Sequence, residues 1–344
     1  MKEEIRVTDL LTSIKIDKSK CKLCGTCVGI CPKNVYSKQG NEIIVDTPED
    51  CIGCLVCERA CPKNAITVEN RKIKKFFISR RCNNACIMCF EHDKNIKKDF
   101  TTEELIETFE KEIKGTEELI VLSGAEITTR NDLFKLLLHI RKRNKTGQIF
   151  LPTNGRMFSY KKYADKFASL KLGDVKITVS VLGTREAHDR ITCVKGSFEQ
   201  AVTGVKNLLA HNQNVHLNIT ILKQNYKTIP EICRYFLKLG VRSVQLAIVE
   251  PSGDARKIFE KIMPRMDEAM PFIIKALGIG KGKVKTKNIP SCFLGDYHDL
   301  QYFTTQNHMK TKIDKCKKCK FHSECDGIWK DYIEIYGGDE IKPQ

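Results

Sequence analysis

The sequence predicts an α/β protein, a parallel sheet with outer helices, carrying a small α+β cysteine-rich segment before it and a second cysteine-bearing segment after it. Three observations carry this. From about residue 72 onward, short apolar runs alternate with helical patterns. The first 70 residues hold an internal cysteine repeat. A further cysteine group stands beyond residue 290. With 344 residues, the chain has room for two or three domains, and the expected divisions are 1–72, 73–280 and 281–344.

Residues 21–35 read CKLCGTCVGICPKNV and residues 51–65 read CIGCLVCERACPKNA, a repeat with a 30-residue period. Each half is C-x2-C-x2-C-x3-C-P, a spacing suited to [4Fe-4S] clusters. The apolar runs SIKID (13–17) and EIIVD (42–46) flank the blocks as strands that cover them. The segment resembles a bacterial two-cluster ferredoxin. The resemblance implies crossed ligation: Cys21, Cys24 and Cys27 with Cys61 on one cluster, and Cys51, Cys54 and Cys57 with Cys31 on the other. Such a module has no open iron, so its chemistry is one-electron relay. About 70 residues make a small core, and the clusters must then contribute much of the folding free energy.

The strands expected next are 75–79, 118–122, 149–151, 175–181, 214–222 and 242–249. Between most of them lie helices. Thr101 and Glu104 form a capping box ahead of LIETFEKEI. Asn131 is placed to cap LFKLLLHIRKR. The runs 197–211 and 228–239 repeat every 3.6 residues.

Just after the first of these strands stands Cys82-x3-Cys86-x2-Cys89. Three thiolates can hold three irons of a [4Fe-4S] cube and leave the fourth without a protein ligand. A three-Cys zinc site completed by His92 is the alternative at this point. The motif resembles the radical S-adenosylmethionine (radical SAM) superfamily. There the open iron chelates the cofactor's methionine, and one electron from the cluster releases a 5'-deoxyadenosyl radical.

This resemblance implies a partial (β/α)6 TIM-type barrel with active residues at the C-terminal strand ends. It places cofactor contacts on Gly124 and Glu126 of SGAEITT, where Ala125 departs from the usual Gly-Gly-Glu. It adds Ser180 and Asn218 on later strands, with an ordinary interior polar role as the alternative. Met88 stands where most members have an aromatic, and Phe90 follows it as a substitute against the adenine. The loop LGTREAHDRITCVKGSF resembles the "HD, gap, GSF" segment of the enzymes that modify peptides and cofactors. Thr192 replaces the Arg expected three residues after the Asp, and Arg190 is the substitute. Cys193 on the same loop belongs to no ligand set. It reads as a hydrogen-atom donor, a covalent handle or a small buried hydrophobe. Cys233 reads as core.

Cys316, Cys319 and Cys325 form C-x2-C-x5-C, and Cys292 stands 24 residues before them. The group resembles a shortened SPASM/twitch-like auxiliary-cluster domain with one [4Fe-4S] cluster. A four-Cys zinc knuckle is the alternative. Trp329 stands where the full-length domain has another Cys.

The formal charge is +17. Four-thiolate clusters of about −2 and a three-thiolate cluster of about −1 reduce the net to roughly +10. That charge allows a nucleic-acid partner, yet no RNA module or aromatic-basic motif is recognised, and a solvated Lys surface accounts for it. No apolar run approaches a membrane span, and no signal peptide is read. The thiols therefore read as cluster ligands in a reducing cytoplasm.

The sequence thus points to an anaerobic radical SAM oxidoreductase or maturase acting on a peptide, protein or small cofactor precursor. It would hold S-adenosyl-L-methionine and four [4Fe-4S] clusters, with a ferredoxin or flavodoxin as electron donor. A tRNA-modifying enzyme, a glycyl-radical activase and a non-catalytic electron carrier are the other readings. An activase inserts its ferredoxin after the three-Cys motif, and here it comes before.

Overall fold

The computed structural model describes residues 7–10, 13–32, 34–46, 51, 55–69, 73–89, 98–117, 119–302, 309–322 and 325–344. Cys54, Phe90 and His92 lie outside the described residues.

The chain opens with β1 (Val7–Leu10) and β2 (Ser13–Ile16). The cysteine repeat then contributes α1 (Thr26–Ile30), β3 (Tyr36–Gln39), β4 (Glu42–Val45), α2 (Val56–Ala60) and β5 (Ile66–Glu69). β2 pairs antiparallel with β5, and β3 with β4. The sequence period reappears in the backbone. Asn34 and Asn64 both take positive φ, and Leu55 stands left-handed where Gly25 does in the first half. A left-handed leucine costs roughly 1–2 kcal/mol, so the ligand loop imposes its geometry on the residue. The module's core is thin: Cys27, Val35, Tyr36, Ile43, Cys57, Ile66 and Val68, with Cys21, Cys31, Cys51 and Cys61 packed at its margin.

β6 (Ile73–Ser79) begins the main sheet. It continues through α3 (Thr102–Glu112), β7 (Leu119–Gly124), α4 (Leu133–Arg143), β8 (Gln148–Thr153), α5 (Lys161–Ser169) and β9 (Val175–Ser180). Then come α6 (Arg185–Thr192), α7 (Ser197–Ala210), β10 (Asn214–Ile221), α8 (Ile229–Leu239) and β11 (Val244–Ile248). The short α9 (Gly253–Lys257) and α10 (Phe259–Ile262) lead to α11 (Met266–Gly280) and β12 (Val284–Lys287). Strands β6 to β12 lie side by side in chain order, all parallel. The two-residue β13 (Gln301–Tyr302) extends them at one edge, and β1 pairs antiparallel with β6 at the other. This is the barrel-type α/β sheet that the alternating pattern predicts, with a seventh main strand that the sequence reading does not include. β12 escapes notice because VKTK has only two buried positions, Val284 and Thr286.

Two boundaries differ from expectation. The first strand joins the barrel sheet, not the module. At the other end, Gly280 closes α11 and the chain passes directly into β12 of the same sheet. The C-terminal β14 (Lys310–Thr311), β15 (Ile328–Trp329) and α12 (Lys330–Tyr336) also share the barrel's core. Trp329 and Tyr332 are fully buried there. The Tyr332 hydroxyl accepts from Met266 N (2.9 Å), and Tyr336 donates to Met263 O (2.9 Å), clamping α12 onto the start of α11.

The Thr101–Glu104 capping box is present in full. Asn131 does not cap α4; Asp132 occupies that position and makes no capping bond. Its carboxylate is held instead by Arg130 Nη2 (2.7 Å) and Thr102 Oγ1 (2.5 Å).

Candidate iron-sulfur and cofactor site

Cys82, Cys86 and Cys89 lie on the loop after β6, at the C-terminal end of the parallel strands. Three anchors hold that loop. Ala85 N and Ile87 N donate to the carbonyls of Thr192 (3.0 Å) and Ile191 (2.9 Å), which end α6. Asp254 N at the start of α9 donates to Cys89 O (3.0 Å). Arg156 Nη1 donates to Asn83 O and to Asn84 Oδ1 (2.8 Å), while its Nε reaches Gln200 Oε1 of α7 (2.6 Å). Sequence reasoning missed Arg156. Its signal is weak, a lone Arg in the TNGR turn after β8.

Burial pushes the Cys82 thiol up to about 11 and Cys86 up to about 12, with neighbouring cysteines adding to the effect on both. Arg156 acts the other way on Cys82. Protonated thiols in a desolvated loop need a bound cation to become thiolates, and iron provides it. The donor set therefore fits a cluster.

Gly124 is required by the sheet itself. Its φ is +138°, and a Cβ there would stand 2.3 Å from Ser79 O and 2.8 Å from Ser79 N. The strand ends thus approach closely beside the cysteine loop. Glu126 is almost fully buried. Its Oε1 accepts from Thr128 N (3.1 Å), Thr128 Oγ1 (2.5 Å) and Thr153 Oγ1 (2.8 Å), and its Oε2 from Asn154 N (2.5 Å). Burial raises its pKa, while the donors from Thr128, Asn154 and Thr153 oppose that rise. Asn154 Nδ2 in turn donates to Asn83 Oδ1 (2.6 Å). Glu126 thereby ties β7 and β8 to the cysteine loop, and Oε2 keeps one acceptor position.

The HD and GSF residues are a brace. His188 Nδ1 accepts from Leu182 N (3.0 Å). Burial holds this imidazole down to about 4, so it is neutral. Asp189 accepts from Gly196 N (2.6 Å), Ser197 Oγ (2.9 Å) and Phe198 N (2.9 Å), satisfying the first amides of α7. Thr192 Oγ1 donates to His188 O (2.9 Å). Together they orient the α6 carbonyls that grip the cysteine loop.

Of the other expected contacts, Ser180 at the end of β9 is the register partner of Asn218 within β10. Asn218 Oδ1 accepts from Gln245 Nε2 (2.8 Å). Met88 packs against the barrel core. Arg190 is exposed on α6. Cys193 is the left-handed C-cap of α6, exposed and close enough to Cys86 to raise its pKa. It is therefore not the buried hydrophobe of the plain alternative. Cys233 is fully buried in α8, as expected.

Eight of the remaining cysteines line two cavities. Cys21, Cys24, Cys27 and Cys61 line one, which mixes three residues of the first repeat with one of the second. Cys292, Cys316, Cys319 and Cys325 line the other. Burial, then the other three thiols, pushes Cys292 up to about 12. Lys310 lies beside this second group, its ammonium bonded to Asn288 Oδ1 (2.9 Å) just past β12 and to Asp326 Oδ2 (3.3 Å).

A parallel α/β barrel with a braced three-cysteine loop at its C-terminal rim, joined to an eight-cysteine repeat, defines an iron-sulfur enzyme. A family model for the radical SAM superfamily matches residues 76–268, and one for a 4Fe-4S dicluster domain matches residues 13–62. This chain belongs to the radical SAM superfamily and carries an N-terminal dicluster ferredoxin domain.

The chain is 32% identical over 160 residues to the Fe-coproporphyrin III synthase of Methanosarcina barkeri, covering 45% of this chain and 38% of that protein. It is 30% identical over 182 residues to the pre-heme d1 synthase of Dinoroseobacter shibae, covering 52% and 44%. These matches span less than half the length of either relative. The FeFe-hydrogenase maturase HydG of Carboxydothermus hydrogenoformans shares the fold, with a TM-score of 0.51, 13% identity, and 67% of this chain and 58% of that one covered.

Proposed function

We propose that this enzyme reductively cleaves S-adenosyl-L-methionine and uses the resulting 5'-deoxyadenosyl radical to take hydrogen from a small cofactor precursor. The observation that carries the reading is the Cys82–Cys86–Cys89 loop, gripped by α6, α9 and Arg156 at the strand ends. When bound, a three-thiolate [4Fe-4S] cluster supplies the electron for cleavage and an iron to which the cofactor's methionine binds. Gly124 keeps that rim free of side chains, and Oε2 of Glu126 has an acceptor position for an ammonium. Ser180 and Asn218 offer polar groups further round the rim, with Met88 and Phe90 as apolar contacts and Arg190 as a carboxylate partner. Cys193, exposed beside the loop, is the side chain best placed to give a hydrogen atom.

The cavity lined by Cys21, Cys24, Cys27 and Cys61 supports crossed ligation in the ferredoxin module, with Cys51, Cys54, Cys57 and Cys31 on its partner cluster. The convergence of Cys292, Cys316, Cys319 and Cys325 supports one auxiliary cluster, for a total of four. Electrons would enter from a ferredoxin or flavodoxin through the module. The two relatives are named for porphyrin and heme synthesis, which favours a cofactor precursor over a peptide.

The test is anaerobic turnover with dithionite. The wild type should release 5'-deoxyadenosine and methionine and hold about 16 irons. Replacing Cys82, Cys86 and Cys89 together by Ala should abolish the deoxyadenosine and remove about four irons. Deoxyadenosine from the triple variant would defeat the reading.

A further inference from the structure

The barrel interior is lined by lysines. On β9, Val175, Ile177 and Val179 are buried under the helices, so Lys176 and Ser180 face inward. On β12, Val284 and Thr286 are buried, so Lys285 and Lys287 face inward. On β6, Lys74 pairs with Glu112 of α3 and Phe76 stacks on Phe109 of the same helix, which turns Lys75 to the inner side.

The strand register joins these residues into rows. Lys285 is level with Gln245, Gln245 with Asn218, and Asn218 with Ser180. One step further along, Lys287 is level with Ala247 and Thr220. Lys176 lies beside Phe150, its ammonium 5.8 Å from the ring centroid.

These ammonium groups act on one another. Burial lowers the proton affinity of Lys176, and Lys285 lowers it further. Burial also lowers that of Lys287, where Lys75 adds to the effect and Glu250 opposes it. A solvated lysine face spreads its charges into water. Here Lys176 and Lys287 are desolvated, each with a second ammonium acting on it, below the rim that carries the cysteine loop. Such an arrangement is stable when an anion shares the space.

We propose that the barrel interior binds a small polyanionic substrate, whose acidic groups are taken by Lys176 and Lys287. The inference rests on the radical enzyme reading only for the word substrate. The anion site itself follows from the lysine rows. Ser180, Asn218 and Gln245 share a row with Lys285 and supply neutral donors and acceptors beside it. The anion's carbon skeleton would thereby sit between the lysines and the Cys82–Cys89 loop.

The experiment is anaerobic titration calorimetry on the holoenzyme with two probes, propane-1,2,3-tricarboxylate and inorganic pyrophosphate. One of them should bind with one site per chain, and added salt should weaken it. Lys176→Met and Lys287→Met should each weaken that binding about 10- to 100-fold, the loss expected for a charge-assisted contact. Lys287→Arg should retain most of it. Lys161→Met, which removes an exposed lysine paired with Asp165 on α5, should change nothing. Tighter binding of the tricarboxylate assigns a carboxylate-bearing substrate, and tighter binding of pyrophosphate a phosphorylated one. No binding of either probe, or binding unaffected by the barrel substitutions, overturns the proposal.

The same preparations report separately on the radical reading. Deoxyadenosine formation from S-adenosylmethionine and dithionite, without any anion, tests that reading alone. Cleavage without anion binding sinks only the substrate class. Anion binding without cleavage sinks only the radical chemistry.

Discussion

The ferredoxin module and the barrel use cysteine in opposite ways. In the module, Cys27 and Cys57 are core residues, and four more thiols pack around a handful of apolar side chains. Tyr36 even donates its hydroxyl to Cys57 Sγ (3.0 Å) in that core. In the barrel, the three motif cysteines ride on a rim loop above a large apolar core in which, among the described residues, Cys233 is the one fully buried thiol. Metal should therefore be a folding element in the first region and a reagent in the second.

The sharpest way to break this contrast is to remove the iron. Oxidative bleaching with a chelator should unfold the module, exposing the amides of α1 and α2 to hydrogen exchange. The amides of β7 to β10 should stay protected, because their burial owes nothing to a ligand. Loss of protection in both regions together would show that the barrel also depends on metal.

Glu126→Ala probes the opposite end of the comparison, a rim residue that should matter to barrel stability. The substitution strands the donors of Thr128, Thr153 and Asn154, at about 1–3 kcal/mol for each buried group left unpaired. A loss of about 3–5 kcal/mol in the barrel's unfolding free energy is expected, together with weaker iron retention at the Cys82 loop. A variant as stable as the wild type in urea would show that the carboxylate is not a strut.

His188 sharpens the point through pH. Its folded pKa is about 4, against about 6.5 when unfolded. Between these values the unfolded chain binds more protons, so stability falls as pH falls. The full contribution is present above pH 6.5 and is lost towards pH 4, amounting to about 3 kcal/mol. Replacing His188 by Gln should flatten the barrel's stability over that window, measured by urea unfolding at several pH values. An unchanged slope would remove His188 as the acid-sensitive element.

Arg156→Ala should have the smallest effect. It frees one side of the cysteine loop while the α6 carbonyls and α9 still hold the other. Iron loss from that loop should quicken, while the barrel loses only about 1–2 kcal/mol. Comparing the rate of iron release with that from Glu126→Ala ranks the two anchors.

How much of this was legible in the sequence depended on whether spacing or surroundings decide the outcome. Cysteine spacing is local chemistry, and it marked the three-cysteine loop and the C-terminal group, while the mixing of Cys61 with the first repeat came from the ferredoxin resemblance. The Thr101–Glu104 capping box was equally local. Asp132 was not, because Thr102 of α3 joins the neighbouring Arg130 in holding its carboxylate. Arg156 carries no motif, since its partners Asn83 and Gln200 are distant in sequence and meet only in the fold. The lysine rows were hidden because each strand contributes one or two residues, and only the register sets them together. For Glu126 the motif marked the residue but not its hydrogen-bond partners, two of which come from β8 and the turn after it.

The antiparallel pairing of β1 with β6 has an architectural consequence. β2 pairs with β5 in the same sense, so the described residues on either side of the two chain crossings between module and barrel form two antiparallel ladders, one in each. The ferredoxin is therefore an insertion within a hairpin, entered and left at one place, and not a bead on an N-terminal string. Excising residues 17–65 and joining β2 to β5 with a short turn would leave every barrel strand with its neighbour and keep β6 shielded from edge-to-edge association. The same port could receive a foreign iron-sulfur module while every barrel strand keeps its neighbour.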